Sequence, residues 1–294
     1  MAASATPALR FEPQQLAALG NLQLKSRYLV EGFLTGIHQS PFRGFSVEFS
    51  EYRDYQPGDD LRHLDWRLYA RNDRLCIREF EEETNTRVYL VIDGSGSMAY
   101  RSDRAWDDKI GVAKAMAAAL AWLLLRQKDA VGLLDVPPSQ RSTQFGQILR
   151  HLTSLKPEGD AGLDRLLAQA NRLFHRRSMV AIFSDLLDPS ANIANHVKEL
   201  RFRGHDVYIF QVLDPDEIEF PFEDAAVFQD LETNTIRHVT PEKVRKTYLQ
   251  RFEAFMETHR QLFRDLEIPH EVIRTDAQPY LAMARFLSQR RRKA

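Results

Sequence analysis

From Val88 onward the chain repeats one unit: a short apolar run, a polar break, and a longer amphipathic stretch. The apolar runs are VYLVI (88–92), AVGLLDV (130–136), MVAIF (179–183) and DVYIFQVL (206–213), with a further strand at 270–274. Helical patterns fall between or after them at 104–127, 145–155, 163–174, 193–202, 241–266 and 279–290. Parallel strands need long crossover connections, and a helix is the usual one. The order therefore predicts an α/β protein with a doubly wound, mainly parallel sheet and helices on both faces. Residues 225–230 and 236–239 flank the turn Glu232-Thr233-Asn234-Thr235 and read as a hairpin.

The first third has a different rhythm. Residues 1–12 read as a loose tail, and 13–38 as a helical pattern with Leu16, Leu19, Leu22, Leu24, Tyr28 and Leu29 supplying apolar positions. Residues 44–55 alternate, with Phe45, Val47 and Phe49 on one side and Ser46, Glu48 and Ser50 on the other. That is a half-buried strand, and 75–80 reads as its partner. The expected organisation is a tail at 1–12, an accessory layer of helix and β-hairpin at 13–86, and the α/β domain at 87–294.

Composition narrows the function classes. Lys and Arg total 40 against 41 Asp and Glu, a net charge of -1, which weighs against nucleic acid as the main partner. Cys76 is the sole cysteine, so no intrachain disulfide or Cys-based zinc site can form, and its place in a strand suggests packing. The longest apolar run, 115–125, is half of the roughly twenty residues that a span requires, so no membrane insertion is expected. It reads as a helix buried on most sides. Residues 1–14 carry no secretory pattern, and the expected location is cytoplasmic.

The sharpest local feature is Asp93-Gly94-Ser95-Gly96-Ser97, directly after a buried strand. It puts three oxygen-bearing side chains on one tight loop. Ser184-Asp185 ends the run at 179–183, and Asp214-Pro215-Asp216-Glu217 ends the run at 206–213. In a doubly wound sheet such strand ends form the site. Carboxylates with hydroxyls, and no His or Cys, suit a hard cation such as Mg2+. The competing reading is that these Asp and Ser residues cap the helices that follow. The acidic stretch of Asp214, Asp216, Glu217, Glu219, Glu223 and Asp224 reads as a solvated loop. Gly58, Asp59, Asp60, Arg62, Asp65, Trp66 and Arg71 read as a buried turn and ion-pair network, with a functional surface as the alternative. Arg290, Arg291, Arg292 and Lys293 read most simply as complementing the dipole of the last helix, with nucleic-acid binding as the minor alternative.

Enzyme signatures are absent. The chain has no G-x-x-x-x-G-K-[ST] loop, no G-x-S-x-G elbow and no H-E-x-x-H pair. A haloacid-dehalogenase-type phosphatase wants Asp-x-Asp after its first strand, and here Ser95 holds the second place. A Mg-dependent phosphotransfer enzyme or phosphatase using the same strand ends is the alternative to a binding function.

The strand followed by Asp93-x-Ser95-x-Ser97, and the strand followed by Ser184-Asp185, resemble the metal-ion-dependent adhesion site of von Willebrand factor A domains. The segment EYRDYQPGDDLRHLDWRLYARNDRLCIREFEEE (51–83) resembles the signature of a bacterial family, domain-of-unknown-function family fifty-eight, whose members accompany MoxR-type AAA+ ATPases. GHDVYIFQVLDPDEIEFPF (204–222) and FQDLETNT (228–235) are similar to the later signature of that family. The resemblance implies a von Willebrand factor A-like domain with metal ligands Asp93, Ser95, Ser97 and, through water, Asp185. The family pattern also wants a Thr before the helix at 163–174. The aligned position is Ala161, with Asp160 or Asp164 as replacements, so Mg2+ binding is expected to be weak. The function implied is a non-catalytic adaptor that works with a MoxR-type AAA+ ATPase and an unknown client protein in chaperone-like assembly.

Overall fold

The computed structural model describes residues 13–39, 52–54, 76–78, 86–157, 162–187, 192–223, 226–229, 231 and 235–291. The described helices are α1 (Pro13–Ala18), α2 (Leu22–Gln39), α3 (Lys109–Arg126), α4 (Gln144–Ser154), α5 (Leu163–Leu173), α6 (Ile193–Phe202), α7 (Pro215–Glu219), α8 (Pro241–Asp265) and α9 (Tyr280–Arg291). The strands are β1 (Tyr52–Asp54), β2 (Cys76–Arg78), β3 (Arg87–Ile92), β4 (Ala130–Leu133), β5 (Val136–Ser139), β6 (Met179–Ser184), β7 (Asp206–Leu213), β8 (Ala226–Gln229), β9 (Ile236–Val239) and β10 (His270–Arg274). The family-like segment around Gly58, Asp59, Asp60, Arg62, Asp65, Trp66 and Arg71 lies outside the described residues, as do Asp160 and Ala161.

Six strands form one sheet in the order β10-β7-β6-β3-β4-β5. Every pairing in it is parallel except β4 with β5. The mainly parallel α/β sheet expected from the repeating unit is present. β1–β2 and β8–β9 are separate antiparallel pairs. β5 is the strand that the periodicity missed, because Val136-Pro137-Pro138-Ser139 does not alternate. Proline cannot donate to a ladder, so such a sequence is tolerated at the sheet edge where β5 sits.

Helices cover both faces. On one side α2, α3, α4 and α9 pack with β3, β4, β6 and β7 around Phe33, Met116, Leu120, Phe183, Phe210 and Phe286. On the other, α5, α6 and α8 pack around Val91, Leu167, Ile182, Val197 and Phe263. A sheet buried twice needs continuous apolar strands, and β6 is buried at all of its positions. The apolar run in α3 is likewise buried throughout 115–121. That helix starts at Lys109 rather than at 104, since Asp108 caps it by accepting from the Gly111 amide at 2.7 Å.

Gly132 shows how closely β4 and β5 approach. A Cβ there would meet the Val136 carbonyl oxygen and would lie 2.6 Å from the Pro138 nitrogen. Backbone cannot move aside as a side-chain end can. Gly132→Ala should therefore cost about 1–3 kcal/mol. A denaturant midpoint unchanged by the substitution would contradict this packing.

Candidate functional site

The sheet order decides where the site lies. β3 is central, its successor β4 lies on one side, and β6 lies on the other. Chain direction therefore switches sides between β3 and β6, and ligand sites form at the carboxyl ends there. Asp93 directly follows β3, Ser184 ends β6, and Asp214 directly follows β7. Because these strands are parallel, all three loops come to one edge.

The first loop is held by its own oxygens. Asp93 is buried; its Oδ1 accepts from the Ser95 amide at 2.9 Å and its Oδ2 from the Ser184 hydroxyl at 2.5 Å. The Asp93 amide donates to the Phe183 carbonyl at 2.9 Å, so the loop leaves the sheet still bonded to β6. The Ser95 and Ser97 hydroxyl oxygens stand 3.1 Å apart. A 3-10 turn, Gly96–Ala99, follows, and neither Ser95 nor Asp93 caps a long helix. Of the two readings of this loop, helix capping is not what these side chains do.

The structure adds a residue that the motif did not contain. Lys109, at the first position of α3, is fully buried, with its Nζ donating to Asp185 Oδ2 at 2.7 Å and to Glu217 Oε1 at 2.5 Å. Burial alone would lower its pKa, but the carboxylates of Asp185 and Glu217 outweigh this and hold it above the usual lysine value. Asp185 Oδ1 accepts from the Leu187 amide at 3.0 Å, and the Asp185 carbonyl accepts from Gln211 at 3.0 Å. Both carboxylate oxygens of Asp185 are thus engaged by the protein.

The acidic stretch at 214–219 is not a solvated loop. It forms α7 with a capping box: Asp214 Oδ1 accepts from the Asp216 amide, and Glu217 Oε2 from the Asp214 amide. Asp214 is wholly buried, and its Oδ2 accepts from the Ser102 amide at 3.1 Å and the Thr275 hydroxyl at 2.9 Å. Asp216 and Glu219 are paired with Arg104. Local acidity predicts solvation only where no cation or amide is brought in from elsewhere. Here both Lys109 and Arg104 arrive from more than a hundred residues upstream.

The chemistry of the donors can be compared with what Mg2+ demands. Two ligands in adjacent octahedral positions at about 2.1 Å from Mg2+ are about 3.0 Å apart. The Ser95 and Ser97 hydroxyls, hydrogen-bonded to each other at 3.1 Å, stand at that spacing, and Asp93 supplies negative charge behind them. Asp185 is instead committed to the Lys109 ammonium. Asp164 lies in the first turn of α5 and meets His196 Nε2 at 3.2 Å. Among the described residues, no group of three or more His, Cys, Asp and Glu has the geometry to hold a metal. The donors that fit are the two hydroxyls, with Asp93, both of whose carboxylate oxygens already accept hydrogen bonds, as the charge behind them.

Asp93 has a measurable signature. Burial, opposed by the Ser184 hydrogen bond and reinforced by the Asp185 charge, pushes its pKa from 3.8 up to about 6. The native state then holds this proton more tightly than the unfolded chain. Stability from this group falls as pH rises through the interval between those two values and is lost above it. The full effect is on the order of 2–3 kcal/mol. In the presence of chelator, Asp93→Asn should therefore be more stable than wild type at neutral pH, with the difference vanishing in acid. His270, lowered to about 4 chiefly by burial, acts in the opposite sense, so the comparison must be between the two proteins rather than along one curve.

The hydroxyl and carboxylate loops gather at the switch point of a mainly parallel α/β sheet, which makes that edge the candidate site. Residues 51–261 match the family described as "Protein of unknown function DUF58", and the chain belongs to that family. An uncharacterized protein of Mycobacterium tuberculosis is 29% identical over 297 residues, covering 96% of this chain and 92% of its own length. Two solved structures are similar at lower identity. One is the conserved hypothetical protein BatB from Bacteroides thetaiotaomicron, at 15% identity and a TM-score of 0.44 over 69% of this chain and 98% of that one. The other is an aerotolerance-related membrane protein from Bacteroides fragilis, at 14% identity and a TM-score of 0.47 over 69% of this chain and 99% of that one. Among the described residues, no helix of this chain is long and apolar enough to cross a membrane.

Proposed function

We propose that the protein is a non-catalytic binding adaptor, a von Willebrand factor A-like domain whose strand-end edge captures an acidic group of a partner. The observation that carries this is the pair of hydroxyls on Ser95 and Ser97, 3.1 Å apart and backed by buried Asp93 at the switch point. A hard cation, Mg2+, is the ligand these donors suit, and when bound it supplies an open coordination position for a carboxylate. The rest is done by the chain itself. Asp93 anchors the loop to β6, the Ser184 hydroxyl fixes the Asp93 carboxylate, and Lys109 holds the second and third loops together. The chain carries no phosphate-loop motif, and Ser184, whose hydroxyl donates to Asp93, is fully buried, so a binding role is favoured over turnover in this reading. The resemblance of residues 51–83 and 204–235 points to a MoxR-type AAA+ ATPase and its client as the partners, in chaperone-like assembly in the cytoplasm.

The test is capture of the genomically adjacent ATPase by wild type and by a Ser95→Ala/Ser97→Ala variant, with and without chelator, in several nucleotide states. Loss of capture in the variant and with chelator is expected, with melting curves confirming that both proteins are folded. Equal recovery from both would remove the hydroxyl pair from the mechanism, and no recovery from either would overturn the adaptor. Hydrolysis of a generic phosphate ester that Asp93→Asn abolishes would favour a phosphotransfer enzyme instead.

A further inference from the structure

The edge of the sheet opposite the hydroxyl loops has a different character. There residues 171–178 lead into β6 and residues 198–205 lead into β7. The two segments are bound to each other. The Asp206 amide donates to the Ser178 carbonyl at 3.0 Å, and its carboxylate meets Arg177 at 3.2 Å and Arg201 at 3.6 Å. Arg203, just after α6, crosses to the Asn171 carbonyl in α5. Beneath them the buried rings of Phe174 and His205 meet edge to face at 6.1 Å. The ends of α5 and α6 and the starts of β6 and β7 thus form one surface.

That surface is basic, although the whole chain carries a net charge of -1. Arg172, Arg176, Arg177, Lys198, Arg201 and Arg203 stand against only Glu199 and Asp206, an excess of four. Both carboxylates are already paired, Glu199 with Arg203 and Asp206 with Arg177 and Arg201. Arg172, Arg176 and Lys198 are exposed, and among the described residues they enter no salt bridge. The flanking starts of β3 and β4 and the end of α8 add Arg87, Lys128 and Arg264 against Asp129, Asp265 and Glu267, which leaves the excess unchanged. Cations often close the last turn of a helix. That role covers Arg172 and Arg201. It covers neither Arg176, Arg177 and Lys198 nor the apolar groups held out among them.

Those apolar groups decide which anionic partner fits. Phe202, between Arg201 and Arg203 at the end of α6, is 93% exposed, and Leu173, next to Arg172 at the end of α5, is 47% exposed. A nucleic acid would be held by phosphate contacts and by stacked bases, and leucine has no stacking face. The anchors of a protein interface fill desolvated pockets, whereas these two project from helix ends. A bilayer surface accepts both features at once. Aromatic and aliphatic tips sink into the headgroup layer while the cations around them stay with lipid phosphates.

We infer that the amino edge of the sheet is a peripheral docking face for an anionic membrane surface, with Phe202 and Leu173 as the inserted tips and Arg172, Arg176 and Lys198 as the free cations. No span is involved, and the inference does not depend on the adaptor reading. β6 has six residues, so about 20 Å of strand separates this face from the Asp93–Ser97 loop. Docking therefore leaves the hydroxyl edge turned away from lipid.

The experiment is flotation of the full chain, which includes the acidic run Glu81-Glu82-Glu83 ahead of β3, with vesicles in chelator. One set is phosphatidylcholine alone and the other is phosphatidylcholine with phosphatidylglycerol. Binding is expected to the anionic vesicles only, and it should weaken as salt is raised. Arg172→Glu/Arg176→Glu should lower the partition coefficient by about thirtyfold or more, at about fivefold for each basic residue near an anionic surface. Phe202→Ser should lower it by about tenfold. Both variants alter exposed side chains and should melt as wild type does. Lys243→Glu/Lys246→Glu makes the same change of net charge at the far end of α8 and should stay within about twofold of wild type. Ser95→Ala/Ser97→Ala should bind as wild type does, which separates this face from the hydroxyl edge. Absence of binding, equal binding to neutral vesicles, or equal weakening by the two charge reversals would overturn the inference. So would full binding by Phe202→Ser, or displacement from vesicles by a single-stranded oligonucleotide at matched charge, which would mark a nucleic-acid contact instead.

Discussion

Lys109→Met should lower the unfolding free energy by about 3–5 kcal/mol, the cost of breaking a buried ion pair by removing one member. Methionine keeps the length of the stem but leaves Asp185, almost wholly buried, and Glu217, mostly buried, facing each other without a cation. Asp185 keeps only 1% of its side chain exposed, and Glu217 keeps 16%. The loss should therefore appear as a shifted denaturant midpoint at neutral pH. Adding Asp185→Asn and Glu217→Gln to Lys109→Met removes the unpaired charges and should recover part of the loss, since replacing all members of a buried network costs less than orphaning some. A single variant that melts within about 1 kcal/mol of wild type would mean that the ammonium is not the tie between these loops.

Met98→Ala should be nearly as costly. Met98 lies in the turn after Ser97 and is fully buried in the same core as Met116, Phe183 and Phe210. Its side chain is the bolt that draws the Asp93–Ser97 loop down onto the sheet. Truncation leaves a cavity under a short turn, for which about 2–5 kcal/mol is the usual range. The Met98 amide donates to the Ser95 carbonyl at 3.1 Å, so the loss has a local consequence as well. Amide hydrogen exchange at residues 95–100 should accelerate more than that of β6 or β7. Met98→Leu, close in volume, should restore most of the stability and the protection. Uniform loss of protection across the sheet would show that Met98 serves the whole core rather than this loop.

Much of the fold was legible in the chain. β3, β6 and β7 are short, nearly continuous apolar runs alternating with helical stretches, the pattern of a parallel sheet covered on both faces. The helices between them follow from their spacing and from the crossover that parallel pairing requires. Asp93, Ser95, Ser97 and Asp185 were identifiable because each stands in or beside the carboxyl end of such a strand.

What could not be read was partnership across distance. Lys109 looks like an ordinary polar residue opening a helix, yet its partners lie 76 and 108 residues away. Asp214 and Glu217 look like a solvated acidic run, yet a capping box and a buried ammonium make them interior groups. Phe220 and Phe222 follow α7, Phe228 lies in β8 and Tyr248 in α8, and no local periodicity joins these clustered rings. Periodicity reports which face of an element is apolar, because that depends on neighbours within a few residues. Which charges become buried, and which cation meets them, depends on strand order. Only the tertiary structure decided that β3, β6 and β7 would end side by side beneath the first turn of α3.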